Sequence, residues 1–260
     1  MTINNIMVFD IETVPDVDAG RRIYGLDGLD DEAAAQAMFK LRMEKTGREF
    51  LAHHLQCIVA ISVVFRHGEH CKVWSLGDES SPEQDLIQRF FDGLDRYTPT
   101  LVTWNGSGFD LPVIHYRSLL HSIAAPRYWE IGESDQSFRY NNYLNRFQWR
   151  HTDLMDVLAG YQMRASAPLD EVATLLGFPG KMGMSGAKVW DTYLEGDIRA
   201  IRDYCETDVL NTYLVYLRFE LIRGHLTQDA YAQECQLVRD TLLASDKPAL
   251  LEFNDAWKKD

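Results

Sequence analysis

The segment that most restricts the fold is Cys57–Phe65 (CIVAISVVF), nine residues in which Ser62 alone is polar. So short an apolar run, rich in β-branched residues, reads as a β-strand. His67-Gly68 supplies a turn, and Cys71 to Leu76 reads as the returning strand. Upstream, Ile6-Met7-Val8-Phe9 is a short apolar run ending at Asp10, which also reads as a buried strand. Downstream, Ser81-Pro82-Glu83 opens a helix with Pro in its first turn, running to about Tyr97. Thr100 to Trp104 (TLVTW) is a further strand, ending in Asn105-Gly106-Ser107-Gly108, and a helix follows from about Leu111 to Ser122. The order is strand, strand, strand, helix, strand, helix. That is a hairpin meander followed by a crossover, and it places the chain among α/β folds.

Asp31 to Gly47, rich in Ala, Met and Lys, reads as a helix in an early insertion. The second half is helical by periodicity near Asp153–Tyr161, Leu169–Leu176, Ser185–Leu194, Asp197–Leu221 and Thr227–Leu243. Gly177 to Gly186 (GFPGKMGMSG) is a flexible link between two of these helices. There is no internal repeat or low-complexity segment. The expected organisation is one domain over 1–260, with a core of about 6–223 and a helical C-terminal extension over 224–260. A separate helical lobe after about Arg223 is the alternative.

Composition narrows the function classes. The 260 residues are 46% hydrophobic and 25% charged, which excludes disorder over most of the chain. No apolar run approaches the roughly 20 residues that span a bilayer, so no membrane partner is expected. The N-terminus lacks the basic start of a signal peptide. Cys57, Cys71, Cys205 and Cys235 stand far apart with no CxxC pair, which fits a reducing cytoplasm. With 26 Lys and Arg against 39 Asp and Glu, the net charge is −13. A duplex binder gripping many phosphates usually carries the opposite excess. Either this chain avoids nucleic acid, or it holds a short strand locally and uses its carboxylates for hard divalent cations.

Three carboxylate motifs stand out. In Phe9-Asp10-Ile11-Glu12-Thr13, Asp10 and Glu12 are two apart on a strand and project to one face. Their mutual repulsion calls for a cation, unless this is a solvated strand end. Asp110 follows Trp104-Asn105-Gly106-Ser107-Gly108-Phe109 between strand and helix. Taken alone it reads as a cap for the helix at Leu111; the alternative is a site where glycines allow close approach. In Tyr204-Cys205-Glu206-Thr207-Asp208, Tyr204 and Asp208 share a helical face one turn apart. Val209, Leu210, Tyr213 and Leu214 already supply the apolar stripe there.

As an ordered set, DxE, NGxxFD and YxxxD resemble the DEDD exonuclease superfamily in its tyrosine-containing (DEDDy) subclass. His151–Asp156 (HTDLMD), Met184–Trp190 (MSGAKVW) and Tyr204–Tyr213 (YCETDVLNTY) narrow the resemblance. They are similar to predicted 3′–5′ exonucleases akin to the proofreading domain of family-B DNA polymerases. The resemblance spans roughly Ile6 to Arg223. It implies a ribonuclease-H-like fold: a mixed five-stranded sheet, its second strand antiparallel, flanked by helices, with extra C-terminal helices here. It also implies a stand-alone 3′–5′ exonuclease, since the remaining residues have no room for a polymerase.

The resemblance further implies two Mg²⁺ or Mn²⁺ ions held by Asp10, Glu12, Asp110 and Asp208, an all-oxygen set that suits these cations over zinc. Asp10 would lie between the ions, Glu12 and Asp208 on the water side, and Asp110 chiefly on the other ion. Tyr204 would position the attacking water, because a phenol of pKa ~10 is a poor base near neutrality; packing in the core is its other reading. The expected partner is single-stranded nucleic acid with a free 3′ end, DNA in preference to RNA. Asn105 is expected to contact the strand, as the motif suggests. Phe109 is expected to stack on a base or to pack in the core, whereas Trp104 packs. Arg139 to Lys188 holds six basic and four acidic residues, so it is locally basic. Within it, Lys181 and Lys188 are candidates for phosphate contacts, or solvated charges. His53-His54 is assigned no role. The alternatives are an exoribonuclease or short-oligonucleotide scavenger, and a non-catalytic interaction module on a decayed nuclease fold.

Overall fold

A computed structural model describes residues 3–257. Its centre is one five-stranded sheet built from β1 (Ile6–Pro15), β2 (Gln56–His67), β3 (His70–Ser75), β4 (Thr100–Thr103) and β5 (His151–Asp153). The strand order is β3-β2-β1-β4-β5. β2 runs antiparallel to β1 and β3, whereas β1, β4 and β5 are mutually parallel. The fold is thus α/β: a mixed sheet flanked by helices, with its second strand reversed as expected.

The helices are α1 (Val17–Tyr24), α2 (Asp31–Thr46), α3 (Glu83–Tyr97), α4 (Asp110–His121), α5 (Pro126–Trp129), α6 (Leu154–Leu158), α7 (Leu169–Leu175), α8 (Val189–Leu194), α9 (Ile198–Ile222), α10 (Gln228–Leu243) and α11 (Pro248–Ala256). Asp30 and Asp197 start α2 and α9 by accepting from the N–H groups of Ala33 and Ala200, bonds that satisfy otherwise unpaired donors. None of the described helices is long and apolar enough to cross a membrane.

Alternation along β1 sorts its side chains between two cores. Met7, Phe9 and Ile11 join Phe90 and Leu94 of α3 and Ile114 of α4 on one face. Ile6 and Val8 join Leu210 and Leu214 of α9 on the other. Asp10 and Glu12 continue the second row, so period-two geometry aims both carboxylates toward α9. Leu242 of α10 and Phe253 of α11 are buried in the same cluster as Val8. A buried ion pair, Arg66 with Glu234 at 2.8 Å, also ties β2 to α10.

Three local expectations need correction. The first strand does not close at Thr13 but runs on to Pro15, because β2 is long enough to pair with it throughout. Asp153–Tyr161 is not one helix: His151–Asp153 is β5, and α6 covers only Leu154–Leu158. Three residues are too few for a period to register. Finally, α1 and α11 are helices that periodicity did not indicate.

Candidate active site

The strand carboxylates lie where β1 changes register. Glu12 pairs with Ala60 and Thr13 with Ile58, leaving Val59 as an extra residue of β2. Such a bulge re-aims the side chains beside it. Ligand atoms of Asp10, Glu12 and Cys205 lie within 4.8 Å of one another. Glu12 is only 8% exposed.

The Asp110 loop is held from β5. The Asp153 carboxylate accepts from the N–H groups of Asn105 and Ser107, both at 2.9 Å. Asn105 adopts a left-handed φ of 65°. Three residues on, a Cβ at Gly108 would sit 2.4 Å from Asn105 Oδ1, so glycine there lets the Asn105 side chain keep its place. Asp110 is the first residue of α4, and the preceding cap position is Phe109. Its side chain does not cap its own helix. Instead Asp110 Oδ1 accepts the backbone N–H of Ile11, between the two strand carboxylates, at 3.1 Å.

Helix α9 contributes the remaining groups. Tyr204 and Asp208 face the strand carboxylates, and the Tyr204 hydroxyl stands close enough to Asp208 to lower that carboxyl. Asn211 extends this stripe and clasps the Gly-rich link, accepting from Gly180 N–H at 3.1 Å and donating to Gly180 O at 2.9 Å. Gly180 has φ +66°, and a Cβ there would lie 2.6 Å from Asp170 Oδ1. Lys181 N–H donates to that carboxylate at 2.7 Å. So anchored, the Lys181 ammonium acts on both Glu12 and Asp208.

Burial and crowding together make the site electrostatically frustrated. Burial, then repulsion from Asp110, Glu12 and Asp208, raises the Asp10 carboxyl well above its usual range. Glu12 is raised likewise, by burial and then by Asp208 and Asp110, with Lys181 opposing. Burial lifts Asp110 to about 7 despite its backbone hydrogen bonds. Asp208 is lifted by burial to about 6, while the Tyr204 hydroxyl and Lys181 hold it down. The Tyr204 phenol is pushed upward by burial and by Asp208 and Glu12. Four converging carboxylates opposed by one lysine fit hard divalent cations, whose charge offsets such repulsion.

The structure thus brings Asp10, Glu12, Asp110, Tyr204, Asp208 and Lys181 together. Asn105 lies on the Asp110 loop, and the Phe109 ring is 5.5 Å from Phe50 and 5.8 Å from His53. Lys188 stands apart from the carboxylates, lining a cavity of about 360 Å³ with Tyr204, Met182 and Met184. Sequence reasoning missed Cys205, whose Sγ donates to Asp10 O at 3.5 Å and lies 3.7 Å from Asp10 Oδ2. It also missed Asp153 and Asn211 as the residues that hold the two site loops. Asp153 falls in the HTDLMD string, but nothing in the string assigns it to the Asp110 loop.

The family described as predicted 3′–5′ exonucleases related to the exonuclease domain of PolB matches residues 48–257. Asp10 and Glu12 lie outside that span. The chain is 26% identical over 147 residues to the catalytic polypeptide of DNA polymerase epsilon from Saccharomyces cerevisiae, a match covering 53% of this chain and 6% of that one. It is also similar to the family B DNA polymerase of the hyperthermophilic archaeon Pyrobaculum calidifontis, with a TM-score of 0.49 and 18% identity over 92% of this chain and 28% of the polymerase. The chain therefore spans a small part of either relative.

Proposed function

The chain belongs to the family of predicted 3′–5′ exonucleases related to the exonuclease domain of PolB, and from that premise we propose that it hydrolyses phosphodiester bonds from the 3′ end of single-stranded nucleic acid, DNA by preference. The observation that carries this reading is the convergence of Asp10, Glu12, Asp110 and Asp208, with the Tyr204 hydroxyl beside Asp208. In the proposal the four carboxylates hold two Mg²⁺ or Mn²⁺ ions. When bound, such ions neutralise phosphoryl charge and lower the pKa of an attacking water. Asp10 and Glu12 offer their oxygens from one strand face, and Asp110 offers its carboxylate across the open edge of β1. Tyr204 orients the water rather than accepting its proton, since its environment makes the phenolate still harder to form. Lys181 meets the phosphate, and its position beside Glu12 and Asp208 supports that role. Lys188, on the Tyr204 cavity, is proposed as a second phosphate contact; Asn105 and Phe109 would hold the terminal nucleotide. A net charge of −13 offers little grip on a duplex, which favours a single strand entering a local pocket.

The test is Mn²⁺-dependent release of 5′-mononucleotides from 5′-labelled single-stranded DNA, RNA, mismatched duplex and a 3′-blocked strand. Stepwise shortening of unblocked DNA from its 3′ end, with the blocked strand protected, is expected. Faster digestion of RNA would reassign the substrate. Cleavage of a circular single strand would overturn the exonuclease reading.

A further inference from the structure

Cys205 brings a different kind of donor to the carboxylate site. It follows Tyr204 on α9 and is fully buried in one cluster with Val14, Ala60 and Ile201. A buried thiol usually packs as a small apolar group. This one also faces a carboxylate: its Sγ lies 3.7 Å from Asp10 Oδ2, and no other described side chain donates a hydrogen bond to that carboxylate. A Glu12 oxygen stands within 4.8 Å of both Sγ and Asp10. Glu12 is 8% exposed, and its side chain accepts no hydrogen bond among the described residues. A buried carboxylate with no donor, aimed at a sulfur and a second carboxylate, calls for a cation.

Sulfur changes which cation that is. Four carboxylates are an all-oxygen set for hard ions, whereas a thiolate selects zinc and softer metals, and zinc outranks manganese in intrinsic affinity. The spacing agrees. Zinc at about 2.3 Å from sulfur and about 2.0–2.2 Å from a carboxylate oxygen, at the tetrahedral angle, separates those donors by about 3.5–3.7 Å. The separation of Cys205 Sγ and Asp10 Oδ2, 3.7 Å, meets that without movement.

We infer that Cys205, Asp10 and Glu12 form a soft-cation site within the carboxylate cluster, which captures Zn²⁺ or Cd²⁺ and thereby shuts the exonuclease down. On capture the Sγ–H bond is replaced by an Sγ–metal bond, and the thiol proton passes to the buffer. The captured ion engages two of the four carboxylates and so withdraws them from the hard cations. The inhibition rests on the exonuclease reading; the capture does not.

The experiment titrates the full chain with Cd²⁺ as the sole metal and follows sulfur-to-cadmium charge transfer in the ultraviolet, for wild type, Cys205→Ser and Cys205→Ala. Cys57, Cys71 and Cys235 stay in place, so a band that vanishes with Cys205 belongs to it. Zn²⁺ and Mn²⁺ affinities are measured on the same proteins by competition with a chromophoric chelator, and melting in chelator verifies the fold. Cys205→Ala serves where a serine hydroxyl in this apolar surrounding prevents folding. The wild type should show the band and both variants should lose it. Their Zn²⁺ affinity should fall by more than the roughly 10–100-fold that loss of an outer-sphere partner costs, because a direct ligand is gone. Mn²⁺ affinity should fall by less than about tenfold, since manganese prefers the oxygens that remain. In the Mn²⁺-dependent release of mononucleotides, with each protein scaled to its own zinc-free rate, the inhibitory Zn²⁺ concentration should rise by the factor that Zn²⁺ affinity falls. A wild type without the band, or equal Zn²⁺ affinity in all three proteins, would overturn the site. Inhibition by Zn²⁺ that both variants leave untouched would overturn its role as the off-switch. If Mn²⁺ supports no degradation of any strand, the exonuclease reading falls, and the cadmium band with its dependence on Cys205 decides the site alone.

Discussion

Ile11 donates its backbone N–H to the Asp110 carboxylate at 3.1 Å, so the peptide joining the two strand carboxylates holds the third. The bond exists because the pairing of β4 with β1 begins at Ile6 and Thr100 and stops at Val8 and Val102. Beyond that point the β1 edge lacks a strand, and Asp110, 3% exposed, fills the place. The carboxylate thus has a structural and a proposed chemical duty, which substitutions can separate.

Asp110→Asn keeps the accepting oxygen and should fold normally, melting in chelator at or above the wild-type temperature while losing at least ~10²-fold in turnover. Asp110→Ala strands a buried N–H, a cost of about 1–3 kcal/mol, and should melt several degrees lower. Equal melting temperatures for the two variants would show that the Ile11 bond contributes nothing.

The raised carboxyls make stability depend on pH in an unusual direction. Asp110 titrates at about 7 and Asp208 at about 6 in the fold, against 3.8 for an ordinary aspartate. Between those values the folded state binds more protons than the unfolded one, so the contribution of the site falls as pH rises from about 4 to 7. In chelator, the difference in melting temperature between Asp208→Asn and wild type should therefore widen in favour of the variant over that interval, then level off. A difference that stays flat from pH 5 to 8 would contradict the crowding.

Tyr204→Phe removes the hydroxyl that lowers the Asp208 carboxyl and the proposed water contact together. Turnover should fall on the order of 10²-fold, the lower range for a positioned proton-handling group. The Asp208 carboxyl should also titrate higher, visible by NMR of the metal-free protein. An unchanged rate would make Tyr204 a packing residue.

Mn²⁺ should raise the melting temperature, since a ligand at a hundredfold excess over its Kd stabilises by about 2.7 kcal/mol. At roughly 2–4 °C per kcal/mol the shift is readily measured. Asp10→Asn should shrink that rise, and Asp10→Ala should lower turnover by several orders of magnitude through lost transition-state charge stabilisation. If Asp10→Asn instead melts far below wild type in chelator, Asp10 holds the fold and not a cation.

The sheet was legible because Ile6–Phe9, Cys57–Phe65 and Thr100–Trp104 are apolar runs of strand length, and because Tyr204 and Asp208 declare their shared face by spacing alone. What sequence could not carry were contacts between distant segments. β5 is three residues long, and its Asp153 matters only through the Asn105 and Ser107 amides 48 and 46 residues away. Cys205 acts on Asp10 across 195 residues, and Asn211 on Gly180 across 31. Taken alone, Asp110 read as a helix cap, and only its place in the ordered set marked it as a site residue, because the open edge of β1 that receives it is a property of the assembled sheet.

Helix α9 carries Tyr204, Asp208 and Asn211 as one stripe, so it acts as a ruler that sets the site and the Gly-rich link at once. Insertions should therefore be tolerated very unevenly. One extra residue between Tyr204 and Asn211 would turn everything after it by about 100° and slide it about 1.5 Å, breaking the alignment of phenol, carboxylate and loop clasp in a single event. The same insertion at the exposed Glu79-Ser80 turn would displace none of them. Among related chains, length variation should therefore gather in the loops and be absent from these eight residues.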